Sequence, residues 1–144
     1  MHPFPHRYAV SAMAAPASVV TLRSAELEDI QSSAPPEFGG PAGNWSPETL
    51  FVAAIADCYI LSFRAVANAS KLEWSEIDCD AVGVLEKTAQ GLWFTVIELQ
   101  AHLRIPAGGD VARAERLLEK AEQSCLVSKS LKSEVRLQTT VSVG

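Results

Sequence analysis

A long apolar stretch, residues 50–67, constrains the fold of this chain more than any other feature. Ser46 and Pro47 precede it, an order that is typical of a helix start. The serine hydroxyl can accept a hydrogen bond from a free backbone N–H of the first turn, and proline is tolerated at the first helical position because its missing N–H has no partner there. A helix that is apolar on nearly all sides is normally buried. We therefore predict a buried central helix from about Pro47 to about Ser70, with Cys58 in its middle.

Length and composition limit the class of protein. A chain of 144 residues is most simply a single domain, long enough to bury a hydrophobic core. Within it we expect N-terminal strands at residues 1–31, a loop at residues 32–45 and the core of the domain at residues 46–144. The net charge of −5, without a basic cluster, argues against a nucleic-acid partner. Two charged residues within the apolar stretch argue against a membrane partner. The first residues lack the apolar segment of a secretory signal, so we expect a cytoplasmic protein.

Three cysteines, Cys58, Cys79 and Cys125, are candidates for chemistry. Their wide spacing fits neither a zinc site nor the disulfide framework of a secreted protein. The histidines share no local pattern, and we expect neither a metal nor another cofactor. A cytosolic protein with thiol chemistry, or one whose cysteines are buried and inert, fits this pattern better.

The remaining patterns predict an α+β fold with helices packed on a mostly antiparallel sheet. Residues 77–86 and 97–105 alternate between apolar and polar side chains, and a glycine-containing turn joins them, which predicts an antiparallel hairpin. A last alternating strand is expected at residues 135–143. In the N-terminal part we expect three short strands, at residues 8–13, 18–23 and 26–30.

A second helix is predicted to begin at Asp110 and to end near Cys125, which lies on its apolar stripe. If this helix packs against the central one, Cys58 and Cys125 could come within disulfide reach, which requires Cα atoms about 5–6 Å apart. The alternative is that each cysteine is only a small buried hydrophobic residue. Cys79 alternates with core residues of the hairpin, and we interpret it as structural.

Two segments of the chain resemble the OsmC/Ohr family of thiol peroxidases. The first segment has SPETL at Ser46–Leu50, followed by ADC at Ala56–Cys58. The second is AEQSCLVS at Ala121–Ser128, which contains Cys125. The resemblance implies an OsmC-like fold, an intertwined homodimer, and reduction of organic hydroperoxides. It also implies that Cys58 is the peroxidatic cysteine, Cys125 the resolving cysteine, and Glu48 the carboxylate that orients an active-site arginine.

The resemblance implies a defined course of reaction. The peroxidatic thiolate becomes a sulfenic acid, and the second thiol condenses with it to a disulfide. An external dithiol, either a lipoylated protein or a small thiol, then reduces that disulfide. Apolar walls would suit an apolar hydroperoxide better than hydrogen peroxide, and the helix supplies candidates for them: Leu50, Phe51, Ile55, Tyr59 and Leu61.

The position of the arginine departs from the pattern of many relatives, which place it in the loop before the helix. Residues 34–44 contain neither arginine nor lysine, and Asp57 stands where relatives have a small residue. Arg64 lies about 240° around the helix from Cys58 and points elsewhere. Arg23 is the remaining candidate, and we expect it to reach Cys58 and to be held there by Glu48.

The first functional hypothesis is therefore an enzyme, a thiol-dependent reductase of organic hydroperoxides. The alternative is an OsmC-fold protein without peroxidase activity, which binds a small apolar or electrophilic molecule at the dimer interface. A third possibility is that the cysteines are purely structural. The placement of the arginine separates the first hypothesis from the second, and thiol reactivity separates both from the third.

Overall fold

The computed structural model describes all residues from Met1 to Gly144, which form two compact units, Met1–Leu50 and Phe51–Gly144. The N-terminal unit contains a three-stranded antiparallel sheet, with strands β1 (Ser11–Met13), β2 (Val20–Arg23) and β3 (Ile30–Ser32) in that order. A short 3-10 turn at Pro36–Phe38 follows in the connection to the first helix. The first two strands lie within the segments that the sequence predicts.

The third N-terminal strand was predicted wrongly at residues 26–30. Glu26 has a φ of +63°, in the left-handed region that strands do not use, and it lies in the turn between β2 and β3. The Arg23 guanidinium reaches across this turn, and its Nε donates to Asp29 Oδ2 at 2.9 Å. The strand consequently begins only at Ile30.

The central helix, α1 (Pro47–Ala69), begins at the predicted residue. The Thr49 N–H donates to Ser46 Oγ at 3.1 Å, which is the predicted N-cap bond. Every fourth side chain of the helix packs into the core, and these four are fully buried: Ile55, Tyr59, Phe63 and Ala67. The other faces of α1 are half-buried or exposed, so the chain itself covers only one face of this apolar helix.

The C-terminal unit has a second three-stranded sheet, in the order β4 (Glu76–Thr88), β5 (Gly91–Ile105) and β6 (Glu134–Val143). β4 and β5 form the predicted antiparallel hairpin, whereas β6 pairs with β5 in parallel. The inward face of β5 consists of fully or almost fully buried apolar side chains, as the alternation predicts: Ile97, Leu99, Ala101, Leu103 and Ile105. The α+β class and a mostly antiparallel arrangement of strands are confirmed.

Two helices connect β5 with β6: α2 (Val111–Ser124) and the single turn α3 (Leu126–Lys129). The Arg113 N–H donates to Asp110 Oδ1 at 3.0 Å, so Asp110 is the predicted N-cap of α2. The Tyr59 hydroxyl donates to the Leu118 carbonyl oxygen at 3.1 Å and joins α1 to α2. This contact fixes how the two cysteine-bearing segments lie relative to one another.

Gly83 in β4 leaves no room for a side chain next to α1 and β5. A Cβ atom at this position would lie 2.7 Å from Val52 Cγ2 and 3.0 Å from the Phe94 ring. We expect Gly83→Val to lower the free energy of unfolding by about 1–3 kcal/mol, because the added side chain would displace Val52 and the Phe94 ring, which is stacked on Phe51. Urea denaturation measures the change. Val82→Thr, at the exposed neighbouring position, is the control and should leave the free energy of unfolding nearly unchanged. Equal stability of the two variants would contradict the close packing of Gly83 against Val52 and Phe94.

Candidate active site

Two of the three cysteines act on one another within the C-terminal unit. Cys58 is half-buried in the middle of α1, and Cys125 is fully buried at the junction of α2 and α3. Both are free thiols, and the Cys125 thiol is among the groups that lower the pKa of Cys58. The structure therefore brings together the two residues that the helical pattern placed on inward faces.

Three further groups of the chain act on the Cys58 sulfur. Ser62 lies one turn later on α1, and its Oγ is 3.9 Å from Cys58 Sγ. The backbone groups of Leu126 and Val127 also lower the pKa of Cys58. The chain leaves α2 at Cys125 in an extended conformation and at once begins α3, so these two N–H groups are in the first turn of a helix and have no partner within it.

These contacts determine the ionisation of Cys58. Burial raises the pKa of the Cys58 thiol, but the hydrogen bonds from the Val127 backbone, Cys125, Ser62 and the Leu126 backbone together outweigh burial and leave the pKa below its ordinary value. All the groups that lower the pKa are uncharged. Cys58 is therefore a thiol with increased thiolate character, beside a second thiol.

Cys79 has the opposite environment. Burial in β4 raises the pKa of Cys79 to about 11, and the carboxylates of Asp80 and Asp78 add to the increase. Near neutral pH this thiol remains protonated and is a poor nucleophile. Of the three cysteines, Cys58 is the one whose surroundings favour reaction.

The five predicted wall residues do not form a single surface. Ile55 and Tyr59 are fully buried in the core, and the Tyr59 hydroxyl is already bonded to α2, so both are unavailable to a ligand in this structure. They lie on the same buried helical stripe as Phe63, so the structure of one chain places them in the core and not on a wall. Leu61 is 50% exposed, and Phe51 stacks on Phe94 with ring centroids 4.9 Å apart.

Leu50 and Glu48 line a cavity of about 600 Å³ within the N-terminal unit. The cavity is mainly apolar; its other lining side chains include Val20, Leu22 and Phe38. Glu48 Oε2 is buried and has no hydrogen-bond partner in the chain. Arg23 bonds to Asp29 and not to Glu48, so the predicted Arg23–Glu48 pair is not formed within one chain. The pairing with Asp29 is local, because only six residues and one turn separate the two.

Sequence reasoning missed Ser62 and the two backbone groups of α3. The signal for Ser62 was present, since a serine four residues after a mid-helix cysteine must share its face. The backbone groups had no such signal, because they depend on the break between α2 and α3. No three His, Cys, Asp or Glu side chains converge in a way that could hold a metal ion.

Comparison with known proteins identifies similar sequences and folds. The sequence model described as "OsmC-like protein" matches residues 40–140. An organic hydroperoxide resistance protein of Xanthomonas axonopodis pv. citri is 34% identical over 116 residues, which is 78% of each chain. The uncharacterized protein YmaD of Bacillus subtilis is 30% identical over 77% of this chain and 76% of its own. An OsmC-like protein of unknown function from Vibrio cholerae has a TM-score of 0.87 at 21% identity, over 94% of this chain and 100% of that one.

Proposed function

The chain belongs to the OsmC-like protein family, and from this premise we propose that it is a thiol-dependent reductase of organic hydroperoxides. The observation that carries the proposal is the lowered pKa of Cys58, to which the Cys125 thiol contributes. The relative from Xanthomonas, an organic hydroperoxide resistance protein by name, supports this substrate class.

The proposed reaction has two steps within the protein. The Cys58 thiolate attacks the terminal oxygen of the hydroperoxide, the O–O bond breaks, and the alkoxide takes a proton and leaves as the alcohol. Cys58 is then a sulfenic acid. The Cys125 sulfur attacks the Cys58 sulfur, the hydroxyl group leaves with a proton as water, and a disulfide forms. An external dithiol, a lipoylated protein or a small thiol, returns both cysteines to the reduced state by thiol–disulfide exchange.

The proposal includes an intertwined homodimer, in the cytoplasm. The N-terminal unit contains no fully buried hydrophobic side chain, and several large ones are exposed: Met13, Val19, Leu27, Ile30, Phe38 and Trp45. Glu48 and Cys58 lie ten residues apart, about 15 Å along α1. A glutamate that serves Cys58 would therefore come more easily from a second chain.

One observation favours a second function, the binding of a small apolar or electrophilic molecule without turnover. Arg23 bonds to Asp29 and leaves Glu48 without a partner in an apolar cavity, so the arginine–glutamate pair that the resemblance implies is not assembled within one chain. A protein of this kind would retain the reactive thiol but consume no peroxide catalytically.

A peroxide-consumption assay separates the two functions. With a dithiol as reductant, we expect cumene hydroperoxide to give a kcat/KM at least about tenfold above that of hydrogen peroxide, because each buried carbon contributes about 0.8 kcal/mol. The comparison uses the same protein preparation and tert-butyl hydroperoxide as an intermediate case. A single oxidation of Cys58 with no further consumption would favour the binding function, and a preference for hydrogen peroxide would contradict an apolar substrate.

A further inference from the structure

We propose that Ser142 is a second nucleophilic site of this protein, at which His102 and Asp78 make the serine hydroxyl reactive toward neutral, activated carboxylic esters. The three residues lie on three neighbouring strands of the C-terminal sheet, with Asp78 on β4, His102 on β5 and Ser142 on β6. This proposal is independent of the peroxidase reaction, because it uses neither Cys58 nor Cys125.

The register of the sheet brings the three side chains together on one face. His102 lies opposite Asp78 in the antiparallel pair of β4 and β5. On β6, Ser142 lies two residues after Thr140, which is the parallel partner of His102. His102 Nε2 is 2.9 Å from Ser142 Oγ, and His102 Nδ1 is 3.6 Å from Asp78 Oδ2. A serine hydroxyl bonded to one imidazole nitrogen, with a carboxylate beside the other nitrogen, is the arrangement that activates a serine as a nucleophile.

The carboxylate of Asp78 determines what the imidazole of His102 can do. A carboxylate beside Nδ1 favours the form of the ring that carries its hydrogen on Nδ1. The other nitrogen, Nε2, is then free to accept the hydrogen bond that the Ser142 hydroxyl donates. Catalytic hydrogen bonds are often as long as 3.6 Å before a substrate binds and shorten in the complex, so the distance from Nδ1 to Asp78 Oδ2 is compatible with this role.

The site lies on the face of the sheet that points away from the core. The odd-numbered residues 97–105 of β5 are buried, and His102 belongs to the alternating set on the opposite face. The side chain of His102 is 41% exposed and that of Asp78 is 62% exposed. Because α1 packs on the buried face of β5, a dimer that forms through α1 leaves this outer face accessible to a substrate.

The surroundings of Ser142 define the class of ester. Glu76, Asp78 and Asp80 form a row of exposed carboxylates on the outer face of β4. The nearby cation, Arg104, is already paired with Glu76, with 3.3 Å between Nη1 and Oε2. These carboxylates repel an anionic ester, whereas a neutral ester approaches without this cost. The side chains are open to solvent, so the reaction depends on a leaving group that departs easily, such as a phenolate.

The proposed reaction balances with water as its only co-reactant. Ser142 Oγ attacks the carbonyl carbon while its proton passes to His102 Nε2. The bond from the carbonyl carbon to the leaving oxygen breaks, and the leaving group takes that proton from Nε2 and departs as the alcohol or phenol. Water then attacks the acyl-serine and gives a proton to Nε2, which passes it on to Ser142 Oγ as the carboxylic acid is released.

The first test is labelling with a neutral alkyl fluorophosphonate. The serine oxygen displaces fluoride and forms a stable phosphonate ester, which mass spectrometry locates within the tryptic peptide 137–144. We expect the label on Ser142 and none in Ser142→Ala. His102→Gln should slow labelling about a hundredfold or more, because a general base contributes about 10²–10⁴-fold.

The positioning role of Asp78 has its own pair of variants. Asp78→Asn should slow the labelling of Ser142 about two- to fivefold, since an exposed pair of charges contributes little. Asp78→Glu keeps a carboxylate on a longer side chain and should restore most of the rate. A loss of labelling that Asp78→Glu does not restore would contradict the role of the carboxylate.

Thr140→Ala is the matched control for the labelled serine. Thr140 presents a hydroxyl on the same face of the same strand, but the hydroxyl bonded to His102 is that of Ser142. This variant should be labelled as fast as the wild type, and urea-denatured protein should not be labelled. A label on Thr140, or equal labelling of folded and denatured protein, would overturn the proposal.

The second test is hydrolysis of 4-nitrophenyl acetate, measured as release of 4-nitrophenolate. The Cys58 thiolate would also react with this ester, so the test compares Cys58→Ser with the double variant that adds Ser142→Ala. We expect Cys58→Ser to release about one equivalent per chain and then to turn over slowly, and the double variant to show neither phase. The anionic ester 4-nitrophenyl hemisuccinate should react more slowly than the acetate. Equal release from the two variants would overturn the site, and a faster reaction of the hemisuccinate would overturn the preference for neutral esters.

Peroxide consumption separates this site from the proposed function. Ser142→Ala should consume cumene hydroperoxide at the wild-type rate. If Ser142 is labelled but no peroxide is consumed, the serine site stands and the peroxidase assignment falls. If peroxide is consumed but Ser142 is never labelled, the serine site falls and the peroxidase assignment stands.

Discussion

We expect Cys58→Ser to abolish the turnover of organic hydroperoxides and Cys125→Ser to allow one oxidation and then stall. The reason is the order of the chemistry: without the Cys58 thiolate no O–O bond is broken, and without the Cys125 thiol the sulfenic acid has no neighbouring thiol to condense with. Serine at position 125 retains a hydroxyl donor beside Cys58, so the first oxidation should proceed at nearly the wild-type rate. The measurement is the amount of alcohol formed per chain, about one equivalent for Cys125→Ser.

The disulfide itself is the second readout of this prediction. Wild-type protein oxidised with a limiting amount of cumene hydroperoxide should contain a Cys58–Cys125 bridge within one chain, located by peptide mapping. Cys79→Ser is the matched control and should retain full turnover, because burial and the neighbouring carboxylates keep the Cys79 thiol protonated. Adducts at Cys79 alone, or sulfonic acid at Cys58 without any bridge, would contradict a two-cysteine mechanism.

The sequence predicted the helices and the C-terminal sheet because their periodicity is strong. Several residues support the same prediction in each of these elements. The elements are the helix start at Ser46–Pro47, the alternating strand β5 and the apolar stripe of α2. The N-terminal strands are short, with three or four residues each, and offer no such repetition. A single residue with positive φ, Glu26, was therefore enough to displace the third strand.

For the candidate site, the sequence indicated the helical faces of the two cysteines, and their roles stay predictions. Their helical faces could be read from spacing, but the same spacing assigned Ile55 and Tyr59 to a pocket although they belong to the core. An apolar helix has several apolar faces, and the sequence does not say which one packs on the sheet. Ser62 was missed although its position four residues after Cys58 places it on the same helical face, because its relevance appears only once its hydroxyl is seen beside the Cys58 sulfur.

The second large effect concerns the oligomeric state. We expect the protein to sediment as a dimer, at twice the chain mass of 15.5 kDa. Of the most apolar 18-residue segment of α1, only 22% is buried within the chain. The outer faces of this helix are therefore left for another molecule to cover. A second copy of the chain is the natural cover, since it would bury the same faces of its own helix at the same time. Sedimentation at micromolar and lower concentrations measures the dissociation constant.

A charge on the outer face of α1 should break this dimer. Leu61 is 50% exposed in the single chain, and in a symmetric dimer Leu61→Glu would bury two uncompensated carboxylates, at a cost of about 2 kcal/mol or more each. We expect the dissociation constant to rise about a thousandfold or more. Val82→Lys is the control, because Val82 is 56% exposed on the outer face of β4, opposite Glu98 and near Asp80, where a positive charge adds no like-charge repulsion. A folded wild-type monomer at micromolar concentration, or equal effects of the two substitutions, would contradict a dimer through α1.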